Sequence, residues 1–421
     1  MQKSWMRTAG FGLAILSFIN LFNYLDRYVV SALVERLKHA GMGLTDADLG
    51  SLMSAFLVVY TFAAPVFGLL GDRRNRPRLI AFGVACWSLA TTLSGFAHGY
   101  WGLLLGRASV GIGEAAYGTI APSLLADYYP VDKRGRVMAI FFCAIPVGSA
   151  LGYLVGGSVG VHFGWRAAFF VAGVPGLVLA ALCLLLRDPP RGVQDKTAAI
   201  DPTDARAARP GTRATYLQLM RNKPYALTVW GYTAYTFAMG GLAFWMPAFL
   251  ERMRGIPAEQ AAVDFGKIVV ITGFIGTFAG GWLGDYFAKI SKQAYLWMSA
   301  AATLIAAPFV WFALTSPPAY LVCMIIAQLL MFASTGPINA SIVNLVAPTQ
   351  RASAVALEIF AIHILGDCIS PFLIGKVSDA SSLNEGVKIV PVAVVISGVL
   401  WCLAARAQAQ MQAAHPAHAA A

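Results

Sequence analysis

The stretch Ile19–Val30 reads I-N-L-F-N-Y-L-D-R-Y-V-V, inside an apolar run from about residue 9 to residue 34. A run of that length crosses a bilayer, which needs about 20 residues. Yet Asp26 and Arg27 stand side by side well within it. A charge at that depth costs at least ~2.5–3.5 kcal/mol on insertion scales. The fold must justify that cost, so what Asp26 and Arg27 face organises the reading of the whole chain.

The rest of the chain repeats the pattern of long apolar runs. Of 421 residues, 58% are hydrophobic and 12% charged, against about 25% charged in soluble domains. Mean hydropathy is +0.66. The runs are continuously apolar, whereas a membrane β-barrel shows short alternating segments. The expected class is an all-α polytopic membrane protein with twelve spans, near residues 9–34, 47–70, 78–97, 101–127, 136–160, 166–186, 223–250, 263–287, 293–314, 318–345, 352–376 and 388–406. Six precede the longest polar stretch and six follow it. That stretch is rich in Pro, Gly and charge, which marks a linker. The expected organisation is a first six-helix bundle over 1–187, a linker over 188–222 and a second bundle over 223–408. A disordered Ala/Gln-rich tail over 409–421 completes it. Within the linker, Thr215–Arg221 can form a short interfacial helix.

Net charge is +11, which raises the question of nucleic acid. With the N-terminus cytoplasmic, 21 of the 31 Lys and Arg fall in inner segments and eight in outer ones. Such an asymmetry follows the positive-inside rule, puts both termini in the cytoplasm and accounts for the charge without nucleic acid. The six cysteines lie in apolar runs with no C-x-x-C pairing, so neither a disulfide nor a metal framework is signalled. The first apolar run is too long for a cleaved signal peptide.

Two sequence echoes tie the halves together. Gly68–Arg73 (G-L-L-G-D-R) recurs as Gly281–Tyr286 (G-W-L-G-D-Y), and Tyr129–Ala139 (Y-P-V-D-K-R-G-R-V-M-A) as Ala347–Ala356 (A-P-T-Q-R-A-S-A-V-A). The offsets are 213 and 218 residues. Two unrelated matches at nearly one offset argue for duplicated halves with a site between them, a transporter architecture.

The loop Gly68-Leu-Leu-Gly-Asp72-Arg73-Arg-Asn-Arg76 resembles the loop 2–3 signature of the major facilitator superfamily, departing from it at Asn75-Arg76-Pro77-Arg78. The resemblance implies that Asp72, Arg73 and Arg76 form a cytoplasmic gating cluster; topogenic charge would leave the same pattern. Arg107 in R-x-x-x-G-x-G is similar to the superfamily's span 4 arginine. Arg107, Gly111, Glu114 and Tyr117 are also spaced to share one helix face, and Gly111 and Gly113 admit a close neighbour helix. A buried Arg and Glu on one stripe should face a cavity, although a structural salt bridge would use the same residues.

N-Y-L-D-R-Y in span 1 with G-I-G-E-A-A-Y-G-T-I-A-P-S-L-L-A-D in span 4 together look like the Spinster branch of the superfamily. At about 1.5 Å per residue, Asp26 lies roughly 25 Å above residue 9, and Glu114 and Arg107 roughly 20 and 30 Å above residue 127. The three can meet at similar depth. The resemblance implies Asp26 and Glu114 as the proton-coupling acids. Arg27, Arg107, Tyr117 and Asn23 are then candidates for binding substrate or pairing charge, with Arg27 open to either role. Guanidinium suits a phosphate or carboxylate head group.

In span 5, Pro146, Gly148, Gly152 and Gly156 predict a close helix contact with some bending. In the second half His363 and Asp367 stand at i, i+4 and, with Asn339 and Trp230, mark a possible second site. No H-E-x-x-H, P-loop or metal-ligand spacing occurs in the sequence, which argues against an enzyme, a cofactor, a metal or ATP drive. The expectation is a monomeric, proton-coupled secondary transporter of the cell (inner) membrane. It would move an amphipathic anionic or zwitterionic lipid of lysolipid or sphingolipid type by alternating access through a central cavity. The alternative is a small organic-anion transporter or multidrug exporter.

Overall fold

Bilayer hydrocarbon offers no partner for backbone N–H and C=O groups, so the apolar runs must satisfy them within helices. The computed structural model bears this out. It describes residues 2–191, 193–194, 213–346 and 350–414, and among them there is no strand. The first half holds α1 (Gln2–Ala32), a short α2 (Val34–Lys38), α3 (Asp46–Arg73), α4 (Arg76–Ser94), α5 (Tyr100–Tyr128), α6 (Val131–Leu154) and α7 (Trp165–Cys183). A π turn at Val155–Val159 and a last turn at Gly160–His162 prolong α6. The second half holds α8 (Arg213–Arg221), α9 (Lys223–Arg254), α10 (Ala258–Ala288), α11 (Ala294–Thr315), α12 (Tyr320–Asn344), α13 (Arg351–Ala361), α14 (Ile369–Ala380), α15 (Leu383–Val387) and α16 (Ile389–Ala414). A π turn at Ile362–Asp367 joins α13 to α14.

Local chemistry sets several boundaries. Thr45 caps α3 in a reciprocal box with Asp48, which satisfies two end donors. Asn75 caps α4, whose first turn holds Pro77. Gly41 and Gly43 take positive φ between α2 and α3, where a side chain would be strained. A helix covers the stretch expected to be helical, as α8. Expected disorder from residue 409 does not hold at its start: α16 continues to Ala414, because Ala, Gln and Met are good helix formers. Gln293 there donates to Gln412 at 2.6 Å. Most of the expected linker and residues 415–421 lie outside the described residues.

Among the described residues nine helical stretches are long and apolar enough to cross a membrane. The other three expected spans are the helices α4, α5 and α9, which fall short on that measure. Buried polar groups occur in all three, including Ser88 and Thr91 on α4, Arg107 and Glu114 on α5, and Thr228 and Thr233 on α9.

The chain divides into two compact units: Met1–Ala199, Ala243–Val270 and Pro371–Asp379 in one; Ile200–Leu242, Ile271–Ser370 and Ala380–Ala421 in the other. The first unit therefore holds residues 1–187 together with the ends of α9, α10 and α14. Within it α3 packs on α5, α1 on α6, and α4 on both α5 and α7. The predicted close contact of span 5 is with α1. A β-carbon on Gly148, Gly152 or Gly156 would fall 2.4, 2.5 or 2.6 Å from atoms of α1. Gly111 lies equally close to α3 and Gly113 to α4. In the second unit α11 packs on α12 and α16, and Gly276 and Gly280 bring α10 against the α12 backbone.

Candidate functional site

Consecutive helix residues point about 100° apart, and Asp26 and Arg27 use that divergence. Asp26 turns to α4 and α5, where Thr91 donates to Oδ2 at 2.6 Å and Arg107 Nη1 stands 3.5 Å from Oδ1. Arg27 turns to Glu114 on α5, donating from Nη2 to Oε2 at 2.7 Å. The two acids and two arginines thus meet as two neighbouring neutral pairs, each acid taking the other helix's arginine. Asp26, Arg107 and Glu114 are at most 1% exposed.

Aromatic rings complete the setting. The Arg27 guanidinium lies 4.8, 4.9 and 5.4 Å from the ring centres of Tyr24, Phe56 and Tyr60, and Arg107 lies 5.0 Å from Phe56. Such contacts stabilise a desolvated cation by about 2 kcal/mol. Even so, the pairs are incompletely bonded. Asp26 Oδ1, Arg27 Nε, Arg107 Nε and Nη2, Glu114 Oε1 and Asn23 Nδ2 are buried without a hydrogen-bond partner among the described residues. Buried polar atoms normally find one.

Three of these residues, Asn23, Arg27 and Glu114, border a cavity of about 160 Å³ in the first unit, lined also by Tyr60, Tyr117 and Phe141 among others. Arg107 and Asp26 are not among its lining residues. Tyr117 donates its hydroxyl to the Leu16 carbonyl at 2.6 Å, so it ties α5 to α1 while its ring borders the space. Thr91, Tyr60 and Phe56 were not read from the sequence. Ordinary residues on apolar helices, they carry no local signal.

Of the expected gate residues, the Asp72 side chain lies outside the described residues, and Arg73 is exposed at the end of α3. Arg76 is 2% exposed. It pairs with Asp127 on α5 and donates from Nε to Asp188 at 2.8 Å and from Nη2 to the Pro189 carbonyl at 2.7 Å. It knots α4, α5 and the segment after α7 inside the first unit.

In the second unit His363 Nδ1 lies 3.1 Å from both Asp367 carboxylate oxygens, within the π turn. The absence of a side chain at Gly240 on α9 lets Asp367 approach, since a β-carbon there would fall 2.6 Å from that of Asp367. Asn339 donates to the Tyr232 hydroxyl at 3.1 Å and the Thr335 carbonyl at 2.8 Å. Trp230 does not join them. It is 44% exposed and lines an apolar groove of about 460 Å³ with Leu365, Val392 and Ile396. Among the described residues no group of His, Cys, Asp and Glu could hold a metal ion.

Comparison with known proteins gives a consistent result. The family model of the Major Facilitator Superfamily matches residues 16–371. The chain is 36% identical over 386 residues to Protein spinster homolog 1 of Xenopus laevis, covering 87% of this chain and 72% of that one. It is 36% identical over 393 residues to Protein spinster homolog 1 of Homo sapiens, covering 88% and 73%. Among solved structures it resembles a bacterial homolog of the human lysosomal transporter Spinster in an inward-facing, unoccupied conformation. The TM-score is 0.86 at 24% identity, over 95% of this chain and 97% of that one.

Proposed function

Because this chain belongs to the Major Facilitator Superfamily and, within it, to the Spinster transporters, we propose that it is a proton-coupled secondary transporter of an amphipathic lipid with an anionic or zwitterionic head, of lysolipid or sphingolipid type, working by alternating access. It is a multi-pass membrane transporter and not an enzyme. The observation that carries the finer reading is the Arg27–Glu114 pair at 2.7 Å on a cavity wall, beside buried polar atoms that lack partners.

Two arginines and two carboxylates sum to zero charge. A proton on Glu114 removes the charge that holds Arg27 and leaves the site with one net positive charge. The guanidinium then turns its fork to a phosphate or carboxylate head group, which suits it bidentately. Release of the head group returns Arg27 to Glu114 and expels the proton. Asp26, held by Thr91 and Arg107, is the second acid of the couple, and the open amide of Asn23 is a further donor for the head group. The acyl tail takes the apolar surroundings.

Asp72, Arg73 and Arg76 form the gate at the α3–α4 end. By the distribution of Lys and Arg, that end and both termini are cytoplasmic, in the cell (inner) membrane, with the chain a monomer. His363, Asp367 and Asn339 supply a second polar site. Trp230 belongs to the apolar surface beside it.

The test is flux in proteoliposomes under an imposed pH gradient, with head groups offered with and without an acyl tail. Glu114→Gln and Asp26→Asn should each lower proton-driven flux about tenfold or more, an effect of about 1.4 kcal/mol or greater. Undiminished proton-driven flux in both variants sinks the coupling, and equal flux of tailless head groups sinks the lipid substrate.

A further inference from the structure

The second unit is not balanced in charge as the first is. Inside its apolar spans, away from their ends, stand Glu358, His363 and Asp367, with neither lysine nor arginine. His363 is committed to Asp367, so even a charged imidazole balances one acid and not two. Glu358 is 3% exposed and makes no hydrogen bond or ion pair among the described residues. A carboxylate at that depth is costly unless a counter-charge is supplied.

The seam between α9 and α13 fixes what Glu358 faces. Tyr225 donates its hydroxyl to the Ala354 carbonyl at 2.7 Å, and Thr236 donates to the Ile362 carbonyl at 3.1 Å. Glu358 stands one turn from each of those carbonyls, and on α9 Tyr232 stands between the two donors. Tyr232 accordingly lies within electrostatic reach of Glu358, as do Tyr225 and His363. Behind Tyr232 the rings of Tyr235 and Trp401 lie 5.8 and 6.5 Å away, centre to centre. They are held in place by bonds from Tyr235 to the Met331 carbonyl at 2.8 Å and from Trp401 to the Thr228 carbonyl at 3.1 Å. The group also has an open side. Asn339, which donates to the Tyr232 hydroxyl, is exposed, and the His363 and Asp367 side chains are 22% and 21% exposed.

A carboxylate without a partner beside aromatic rings is a setting for a cation, because the face of a ring attracts positive charge. An ammonium ion brings the charge that no side chain of this unit supplies. If quaternary it has no N–H to donate, and ring faces serve where hydrogen bonds cannot.

We propose that Glu358 and the ring of Tyr232 form a subsite for the ammonium group of a lipid head, primary or quaternary. The proposal rests on the amphipathic-lipid reading above and narrows it to heads that carry an amine. Arg27 in the first unit suits the anionic part of such a head, and Glu358 in the second suits the cationic part.

The test measures equilibrium binding to the purified full chain in detergent, with three probes that share one chain length: lysophosphatidylcholine, lysophosphatidylglycerol and an alkyltrimethylammonium ion. Glu358→Gln should weaken the choline lipid and the alkyltrimethylammonium ion about tenfold each, the loss of a desolvated cation's partner, and leave lysophosphatidylglycerol unchanged. Tyr232→Leu should weaken the same two probes several-fold, whereas Tyr232→Phe, which keeps the ring, should not. Asp264→Asn, which removes an acid from a surface pair with Lys267, should change none of the three. Should Glu358→Gln fail to fold, the contrast between Tyr232→Leu and Tyr232→Phe still decides the matter. Unchanged binding of the alkyltrimethylammonium ion in Glu358→Gln, as for a carboxyl that only carries a proton, overturns the subsite. An equal loss of all three probes overturns it too, since a structural role would do the same. Binding of the alkyltrimethylammonium ion that depends on Glu358, in a chain that moves no lipid, upholds the subsite and removes the transport reading.

Discussion

At the centre of the first unit Arg27 meets Glu114 at 2.7 Å while Arg107 stands 3.5 Å from Asp26. At the α2–α3 end the single carboxylate of Asp46 takes Lys38, Arg252 and Ser378 together. Both clusters use acids against cations, and both bury at least one carboxylate almost fully. They differ in completion. The central pairs leave buried donors and acceptors open, whereas none of the buried polar atoms of Glu35, Asp46 or Arg252 lacks a partner among the described residues. They also differ in access to water, which reaches Lys38 and Arg252 but not Asp26 or Arg107. The incomplete dry cluster is the one to which the proposed function assigns a ligand and a proton. The complete cluster fixes the start of α3 to α9 and α14.

The largest effect that could break this comparison is on stability. Removing one partner of a dry pair strands the other, at a cost of about 3–5 kcal/mol. Arg107→Met should therefore lower the thermal transition in detergent far more than Arg252→Met, after which Asp46 keeps Lys38 and Ser378 as partners. Equal losses would mean that the two clusters are not different in kind. A smaller effect concerns the frame that sets the central geometry. Gly152→Leu drives a side chain into the α1 backbone near Leu25, and overpacking of this sort costs about 1–3 kcal/mol. It should lower both the thermal transition and transport flux. The smallest change sharpens the role of a residue that the sequence did not mark. Thr91→Val removes one hydrogen bond to Asp26, worth about 0.5–1.5 kcal/mol. It should leave folding nearly intact and displace the pH profile of flux, and a profile unmoved from that of the parent would make Thr91 mere packing.

Much of the molecule was legible locally. Apolar run length, the linker's composition and the echo of G-L-L-G-D-R near residue 281 depend only on short stretches of chain. The glycine ladder of α6 was legible as a close contact, although its partner, α1, was not. The meeting of Asp26, Arg27, Arg107 and Glu114 was anticipated from depth along the helices. Depth could not say which acid takes which arginine, because that depends on how α1 and α5 are rotated about their axes. Arg252, Asp379 and Asp46 read as loop charges at helix ends, and nothing near any of them names the other two.

Sequence by itself determined that this chain must be a bundle of membrane helices with a charged interior, because hydrocarbon forces buried backbone into helices and makes an unpaired charge costly. Only the tertiary structure decided the pairing. Helix rotation turns Asp26 to Arg107 and Arg27 to Glu114, and chain closure over more than 330 residues brings Asp379 to the start of α3. Contacts of that range follow from how whole helices pack, which no single stretch encodes.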